Sequence, residues 1–206
     1  MGSPPEMPKI GAEAIRRKAM VEAAISEIGK AGSLDVTVSQ IARRAGMSPA
    51  LAHHYFGSKD QMFLAAMRHI LRLYGASVRR RSAGIDSPIG RIDAIIDASF
   101  APDQFHRDVV AAWLTFYVRA LQSPEASRLL QVYARRLHSN LVYNLRQLVD
   151  PATAESLAQG LAALIDGFYI RHALQDFAPA RAEVRAMVFD YLELSLARKG
   201  IHVRAA

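Results

Sequence analysis

Apolar residues recur every three to four positions along nearly the whole chain, and no stretch of strand length alternates apolar with polar. That spacing is the helical period, not the period of two that a half-buried strand requires. Glycine and proline fall between the periodic segments and act as breaks. The pattern therefore predicts an all-α fold. A first helix is predicted over Glu13 to Lys30, with Ile15, Ala19, Ala23 and Ile28 inward and Gly32 placed to end it. Longer helices are predicted over Arg91–Phe100, Gln104–Gln122, Glu125–Val149, Ala152–Gln175 and Pro179–Arg198. The last two have wide apolar faces: Leu157, Leu161, Leu164, Ile165 and Phe168, then Val184, Val188, Tyr191, Leu192 and Leu196. A helix with more apolar surface than one neighbour can cover calls for a second neighbour.

Between the first and the later helices lies a dense run of short ones. Thr37-Val38-Ser39-Gln40 fits a capping box and opens a helix of barely two turns, Val38 to Ala45. Gly46 follows, then Ser48-Pro49, a capping serine with proline at the first helical position, opening a second short helix to about Phe56. Ser58-Lys59-Asp60-Gln61 repeats the capping-box pattern and opens a long helix through Met62, Ala66, Ile70 and Leu73 to about Arg81. Two short helices joined by a glycine-containing turn are the plan of a helix-turn-helix. Ala42 is small where the helices must approach, Gly46 can turn left-handed, and Ile41, Met47 and Leu51 can fill a miniature core. In this motif the second helix enters the major groove. Here it presents Ser48, Pro49, Ala50, His53 and His54, while Thr37, His54 and Lys59 suit phosphate. The competing reading is an ordinary turn between core helices with solvated histidines.

Charge adds to the first reading only in combination with the capped helix starts and the turn glycine. Residues 1–60 carry 8 basic and 6 acidic side chains, residues 61–82 carry 5 arginines and no acid, and residues 83–206 carry 13 of each. The whole net charge of +7 thus lies in the first 82 residues, on a module attached to a neutral body. Such asymmetry suggests a polyanion at one end, and charge taken alone fits a solvated basic helix better.

The residues Thr37-Val-Ser-Gln-Ile-Ala-Arg-Arg-Ala-Gly-Met-Ser, followed by His54-Tyr-Phe-Gly-Ser-Lys-Asp, closely resemble the N-terminal domain of TetR-family transcriptional repressors. The resemblance implies DNA contacts at Thr37, Ser48, Pro49, Ala50, His53, His54 and Lys59, with Arg43 and Arg44 as further candidates. Position 53 is often tyrosine in that family, and position 52 a larger aliphatic residue; here they are His53 and Ala52. Met7-Pro-Lys-Ile-Gly, Trp113-Leu-Thr-Phe-Tyr, Arg135-Arg-Leu-His-Ser-Asn-Leu-Val and Gly160-Leu-Ala-Ala-Leu-Ile-Asp-Gly-Phe-Tyr-Ile-Arg further resemble the branch that represses glycine-betaine synthesis genes in response to choline. The resemblance implies a homodimer on a palindromic double-stranded operator, with Leu161, Ile165, Phe168, Val188, Tyr191 and Leu192 at its interface.

A trimethylammonium head donates no N–H hydrogen bond, so it is held by aromatic faces and a nearby negative charge. Trp113 and Tyr117 are four apart on one helical face with Phe116 beside them, and a later helix carries Tyr169 and Asp166. Asp166 lies inside an apolar run from Leu161 to Ile170, where a carboxylate is costly unless partnered. Two roles stay open for it: counter-charge to a small organic cation, or a structural partner of Arg171, Arg119 or His172. Asp97 is a second candidate of the same kind, and plain core packing is the alternative for the aromatic set.

Residues 1–11 are expected to lie outside the fold as a disordered or tag-derived stretch. Residues 12–60 then form the helix-turn-helix domain, 61–82 a connecting helix, and 83–206 a helical domain for ligand binding and dimerisation. The chain has no cysteine, so thiolate metal sites and cysteine nucleophiles are excluded, and no metal or cofactor is implied. The N-terminus lacks the apolar core of a secretory signal, and no run of 18 apolar residues exists to span a membrane, so a cytoplasmic location is expected. The seven histidines form no His-Glu-x-x-His pair, and Gly-x-Ser-x-Gly and phosphate-loop motifs are missing, which argues against an enzyme. Two alternatives stay open: a sensor of another cation or lipophilic drug, which the residues do not decide against, and a sequence-neutral architectural DNA binder.

Overall fold

The computed structural model describes residues 9–175 and 179–203. These form nine helices and no strand among the described residues. They are α1 (Lys9–Ala31), α2 (Val38–Arg44), α3 (Pro49–Phe56), α4 (Lys59–Ser82), α5 (Pro88–Ser99), α6 (Arg107–Ala120), α7 (Pro124–Leu145), α8 (Pro151–Leu174) and α9 (Arg181–Ala197). The expected start of order at residue 12 is three residues late, because α1 already runs from Lys9.

Each short helix starts where its capping residue places it. Thr37 accepts from the Gln40 backbone N–H while the Gln40 side chain accepts from the Thr37 N–H, a complete capping box. Ser48 caps α3 through the Leu51 N–H with Pro49 in the first turn, and Ser58 caps α4 through the Gln61 N–H. The turn between α2 and α3 closes on Gly46, whose φ of +68° is the left-handed conformation a side chain resists. Its neighbour Met47 N–H then reaches back to the Ala42 carbonyl at 2.9 Å. Ala42 and Ala52 are fully buried, so α2 and α3 meet through small residues.

Some expected positions differ. Ile15 is 61% exposed and Leu73 42% exposed, so neither belongs to the core. Pro88 opens α5 as a first-turn proline behind the Ser87 cap, so the helix starts three residues before the expected Arg91. Helix α6 begins at Arg107, not near Gln104, because residues 101–106 turn back on themselves behind α5.

A single hydrophobic core runs from Met20 through Phe63 and Phe116 to Leu196, across both halves of the chain. Helix α1 packs against α2 and α4 within the N-terminal module and also lies along α6 of the body. Helix α4 runs unbroken from the module into the body. The module that carries the helix-turn-helix is therefore mechanically joined to the C-terminal half.

Candidate DNA-reading face and effector chamber

The residues proposed for DNA lie together on the solvent side of α2, α3 and the start of α4. Thr37, Arg43, Arg44, Ser48, Pro49, Ala50, His53, His54 and Lys59 are all exposed. Behind them Ile41, Tyr55 and Phe56 are buried and Met47 and Leu51 half-buried, giving the recognition helix a rigid back. Two of the cations already have protein partners. Arg44 pairs with Glu27 of α1 at 3.1 Å, and Lys59 Nζ donates to the Leu34 carbonyl, tying the start of α4 to the loop before α2. An ammonium has three donors, so Lys59 retains two for another acceptor. The His53 ring nitrogen bonds the Gly57 carbonyl at 3.3 Å, which orients its ring. Arg17 of α1 braces α3 from behind: it donates to the Tyr55 carbonyl at 2.9 Å and lies 5.0 Å over the Phe56 ring. Sequence spacing gave no sign of this brace, because 38 residues separate the partners.

The second site is an aromatic cluster deep in the body. Trp113, Tyr117 and Phe116 lie on α6 as spacing predicts; Trp113 is 5.8 Å from Tyr117 and 5.6 Å from Phe116 between ring centres. The structure adds two residues that sequence reasoning missed. Tyr133 of α7 approaches Trp113 to 5.0 Å, and Tyr74 of α4 meets Tyr133 edge-on at 5.6 Å. Tyr117 donates its hydroxyl to Asp166 at 2.9 Å across 49 residues. Tyr169 donates to the Ser99 carbonyl, and the Tyr74 hydroxyl lies 3.3 Å from the Ser99 hydroxyl.

Asp166 makes no ion pair among the described residues. Of the three partners considered, Arg119 pairs with Asp60 at 3.1 Å, and His172 stacks on Phe105 at 4.1 Å. Arg171 is exposed and forms no ion pair with Asp166. Burial pushes the Asp166 carboxyl up from the usual carboxylate range, and the Tyr117 hydrogen bond only partly opposes this. Burial and the facing Asp166 charge push the Tyr117 hydroxyl well up, and burial pushes Tyr74 up to about 12. Burial pushes the Tyr133 and Tyr169 hydroxyls well up too, so these four tyrosines stay neutral around the half-buried Asp166 carboxyl. Asp97 is different in kind. Burial opposes its ionisation, but the hydrogen bond and charge of Arg81 at 2.6 Å, with Arg181 and Arg185, hold its carboxyl below the usual range. That network joins α4 to α9 and leaves Asp97 no free charge for a ligand.

Helix α6 connects the two sites. At its start, a Cβ on Gly29 of α1 would collide with the Asp108 backbone, so α1 and α6 touch main chain to main chain. Ser26 donates to the Asp108 carboxylate at 3.0 Å in the same place. At its end, Arg119 holds Asp60 in the first turn of α4. Trp113, Phe116 and Tyr117 lie between these two anchors.

Comparison with known proteins places this architecture. Residues 20–66 match the description of bacterial regulatory proteins of the tetR family, and residues 88–197 match that of the BetI-type transcriptional repressor C-terminal domain. A protein of Brucella melitensis biotype 2, named HTH-type transcriptional regulator BetI, is 54% identical over 190 residues, covering 92% of this chain and 96% of that one. The like-named protein of Agrobacterium fabrum is 50% identical over 92% of each chain. This chain belongs to the TetR family, with a BetI-type C-terminal domain. It is a DNA-binding transcriptional regulator, and its relatives are named as regulators, not enzymes. The fold likeness extends further. A transcriptional regulator from Rhodococcus sp. Rha1 superimposes with a TM-score of 0.79 at 22% identity, over 92% of this chain and 99% of that one. Another from Saccharomonospora viridis, solved in complex with choline, gives 0.77 at 22% identity over 87% and 96%.

Within this TetR-family body four of the six expected interface residues need correction. Leu161, Ile165, Val188 and Leu192 are at most 1% exposed in one chain, so they have no surface left to lose to a partner. They pack α8 and α9 onto each other and onto α5, α6 and α7. Phe168 is half-buried and meets Phe100 edge-on at 6.2 Å, and Tyr191 lies over Gly160, filling the space a Cβ would need. The outward stripes are others. On α8 they are Ala163, Gly167, Ile170 and Leu174, and on α9 Met187 and Leu194; Leu174 is 74% exposed and Leu194 67%. Among the described residues no helix is long and apolar enough to cross a membrane, and no cluster of His, Asp or Glu could hold a metal ion.

Proposed function

We propose that the chain is a choline-responsive repressor of glycine-betaine synthesis genes, acting in the cytoplasm as a homodimer on a palindromic operator. The observation that carries this is the half-buried Asp166 carboxyl, which has no ion-pair partner among the described residues and is bonded by Tyr117, whose ring joins the Trp113 and Tyr133 cluster, in a BetI-type domain. A quaternary ammonium satisfies such a site in full: its methyl groups lie on the rings and its charge faces the carboxylate. The choline complex of the related fold from Saccharomonospora viridis supports the same reading. Phe116 packs against Trp113, and Tyr169, tied to the Ser99 carbonyl, supports the cluster from α8.

The DNA contacts follow the exposed face described above. Ser48, Pro49, Ala50, His53 and His54 reach base edges and nearby phosphates, and Thr37, Arg43, Arg44 and Lys59 position the backbone. The outer stripes of α8 and α9 pair with those of a second copy, which places two recognition helices about 34–36 Å apart in successive major grooves. Choline acts by differential binding. It favours the position of α6 that best closes the rings, and α6 passes that position to α1 at Gly29 and to α4 at Asp60, changing the presentation of α3. The test is calorimetric titration with choline and with ethanolamine. The reading predicts clear preference for choline, since ethanolamine loses N–H hydrogen bonds on entering an aromatic cage. Equal or stronger binding of ethanolamine contradicts it.

A further inference from the structure

A groove of about 1500 Å³ runs along the outside of the molecule between α1, α4 and α7. It is larger than the roughly 300–1,000 Å³ of an ordinary small-molecule pocket. Its course along α4 from Ala65 to Arg79 gives a length of about 21 Å at 1.5 Å per helical residue. The floor is apolar, with Val21, Phe56, Leu71, Leu129, Val132 and Leu137. Exposed Val132 and Leu73 leave part of this floor open to water.

The walls carry cations and no carboxylate: Arg17, Lys18, Arg68, Arg72, Arg79 and Arg136. Among the described residues, the guanidinium groups of Arg68, Arg72, Arg79 and Arg136 have no hydrogen-bond or ion-pair partner, and Lys18 meets only the exposed Glu22 at 3.6 Å. Elsewhere Arg81, Arg119, Arg146, Arg181 and Arg185 each hold a carboxylate. His69 also lines the groove, but burial and the neighbouring Arg72 charge keep it neutral. Three helices that bring six cations around an apolar trough present a field and a surface of complementary kinds. Tyr74 and Tyr133 line both this groove and the aromatic cluster, so the two sites adjoin, and the cationic wall disfavours a quaternary ammonium on the groove side. The lining comes from α1, α4 and α7 with Phe56 at the end of α3, so it stays clear of the outer stripes of α8 and α9.

We propose that the groove binds a single-chain anionic amphiphile, its acyl chain on the apolar floor and its carboxylate or phosphate head against the arginines. The groove length suits an extended chain of long-chain fatty acyl size, and guanidinium groups suit planar and phosphate anions.

The test uses the full chain with choline present at saturating concentration, so that the aromatic chamber does not take up the probe. Palmitate and palmitoyl lysophosphatidic acid, both below their aggregation thresholds, are titrated by calorimetry. Fluorescence of Trp113, the single tryptophan, is followed alongside, because its neighbour Tyr133 lines the groove. The expected result is one site per chain with micromolar Kd and a change in Trp113 emission. The stronger of the two probes identifies a fatty-acid or a phospholipid-type head. The double variant Arg72→Gln, Arg136→Gln alters exposed side chains only and is expected to bind at least 10-fold more weakly. Val132→Glu, which sets a like charge on the floor, is expected to do the same. The proposal is overturned if neither probe binds, if dodecylammonium binds as well as the anions, or if the variants bind palmitate unchanged. Displacement of palmitate by random-sequence duplex DNA also overturns it, since the groove would then be a nucleic-acid surface.

Discussion

Replacing Asp166 by asparagine keeps the shape and the oxygen that accepts from Tyr117, and removes only the charge. Two effects of opposite sign follow. Asp166 is half-buried and has no ion-pair partner among the described residues, so its charged form is a burden on the fold. Leaving a buried polar group imperfectly compensated costs about 1–3 kcal/mol in mutational series. Partial solvent access places this group at the low end, so Asp166→Asn is expected to stabilise the chain by about 1 kcal/mol at neutral pH. For a chain of this length that is a rise in Tm of roughly 2–4 °C. The same substitution removes the counter-charge for the ligand. A unit pair at 4 Å and an effective dielectric of 20 interacts by about 4 kcal/mol. Half of that surviving competition with water still weakens choline binding by more than about tenfold.

The pH dependences separate in the same way. Burial raises the folded carboxyl pKa above its unfolded value, so the folded chain holds the proton more tightly. The contribution of Asp166 to stability is therefore fully present below the unfolded pKa and is lost as pH rises through the folded pKa. Choline binding needs the ionised form and strengthens over the same rise in pH. In Asp166→Asn both dependences disappear. Differential scanning calorimetry and choline titration across pH 4 to 8 measure both quantities. A variant that is less stable yet binds choline as tightly as the parent refutes the reasoning and returns Asp166 to a structural role.

Three other expectations concern the DNA face, the relay and the dimer. Lys59→Ala is expected to weaken binding to any duplex and to reduce the slope of log K against log salt by about one; an unchanged slope leaves Lys59 only its bond to Leu34. Gly29→Ala forces α1 away from the Asp108 backbone and is expected to cost about 1–3 kcal/mol, with a smaller effect of choline on operator affinity. Undiminished coupling with normal stability shows that this contact carries no signal. Leu194→Arg places a charge on the outer stripe of α9 without touching the core and is expected to yield monomers by sedimentation; a persistent dimer locates the interface elsewhere.

The helix-turn-helix was legible because its signals are local. Thr37 with Gln40, Ser48 with Pro49, and Gly46 each act within four residues, so the chain declares them without help from tertiary packing. Trp113 and Tyr117 were legible for the same reason, as near neighbours on one helix. Their partners were not. Tyr74 and Tyr133 sit in amphipathic helices where a tyrosine reads as an interface position, and only the crossing of α4, α6 and α7 brings them to Trp113. The interface assignment failed for a related cause. Leu161, Ile165, Val188 and Leu192 give the strongest apolar signal because they face inward within the chain. The outward stripe of α8 begins with Ala163 and Gly167, small residues that carry little such signal. Asp166 was flagged by its apolar surroundings, but its partner Tyr117 is 49 residues away and no spacing rule points to it.

The central claim is that choline and operator DNA are read by one molecule through α6. The most direct measurement is titration of labelled DNA from upstream of this gene, with and without choline at fixed salt, against a scrambled duplex. The account predicts preference for the upstream DNA by at least about 10³ and a change in affinity or complex geometry when choline is present. Specific binding that is indifferent to choline contradicts the proposed effector, and equal affinity for the scrambled duplex contradicts specific recognition of this DNA as the operator.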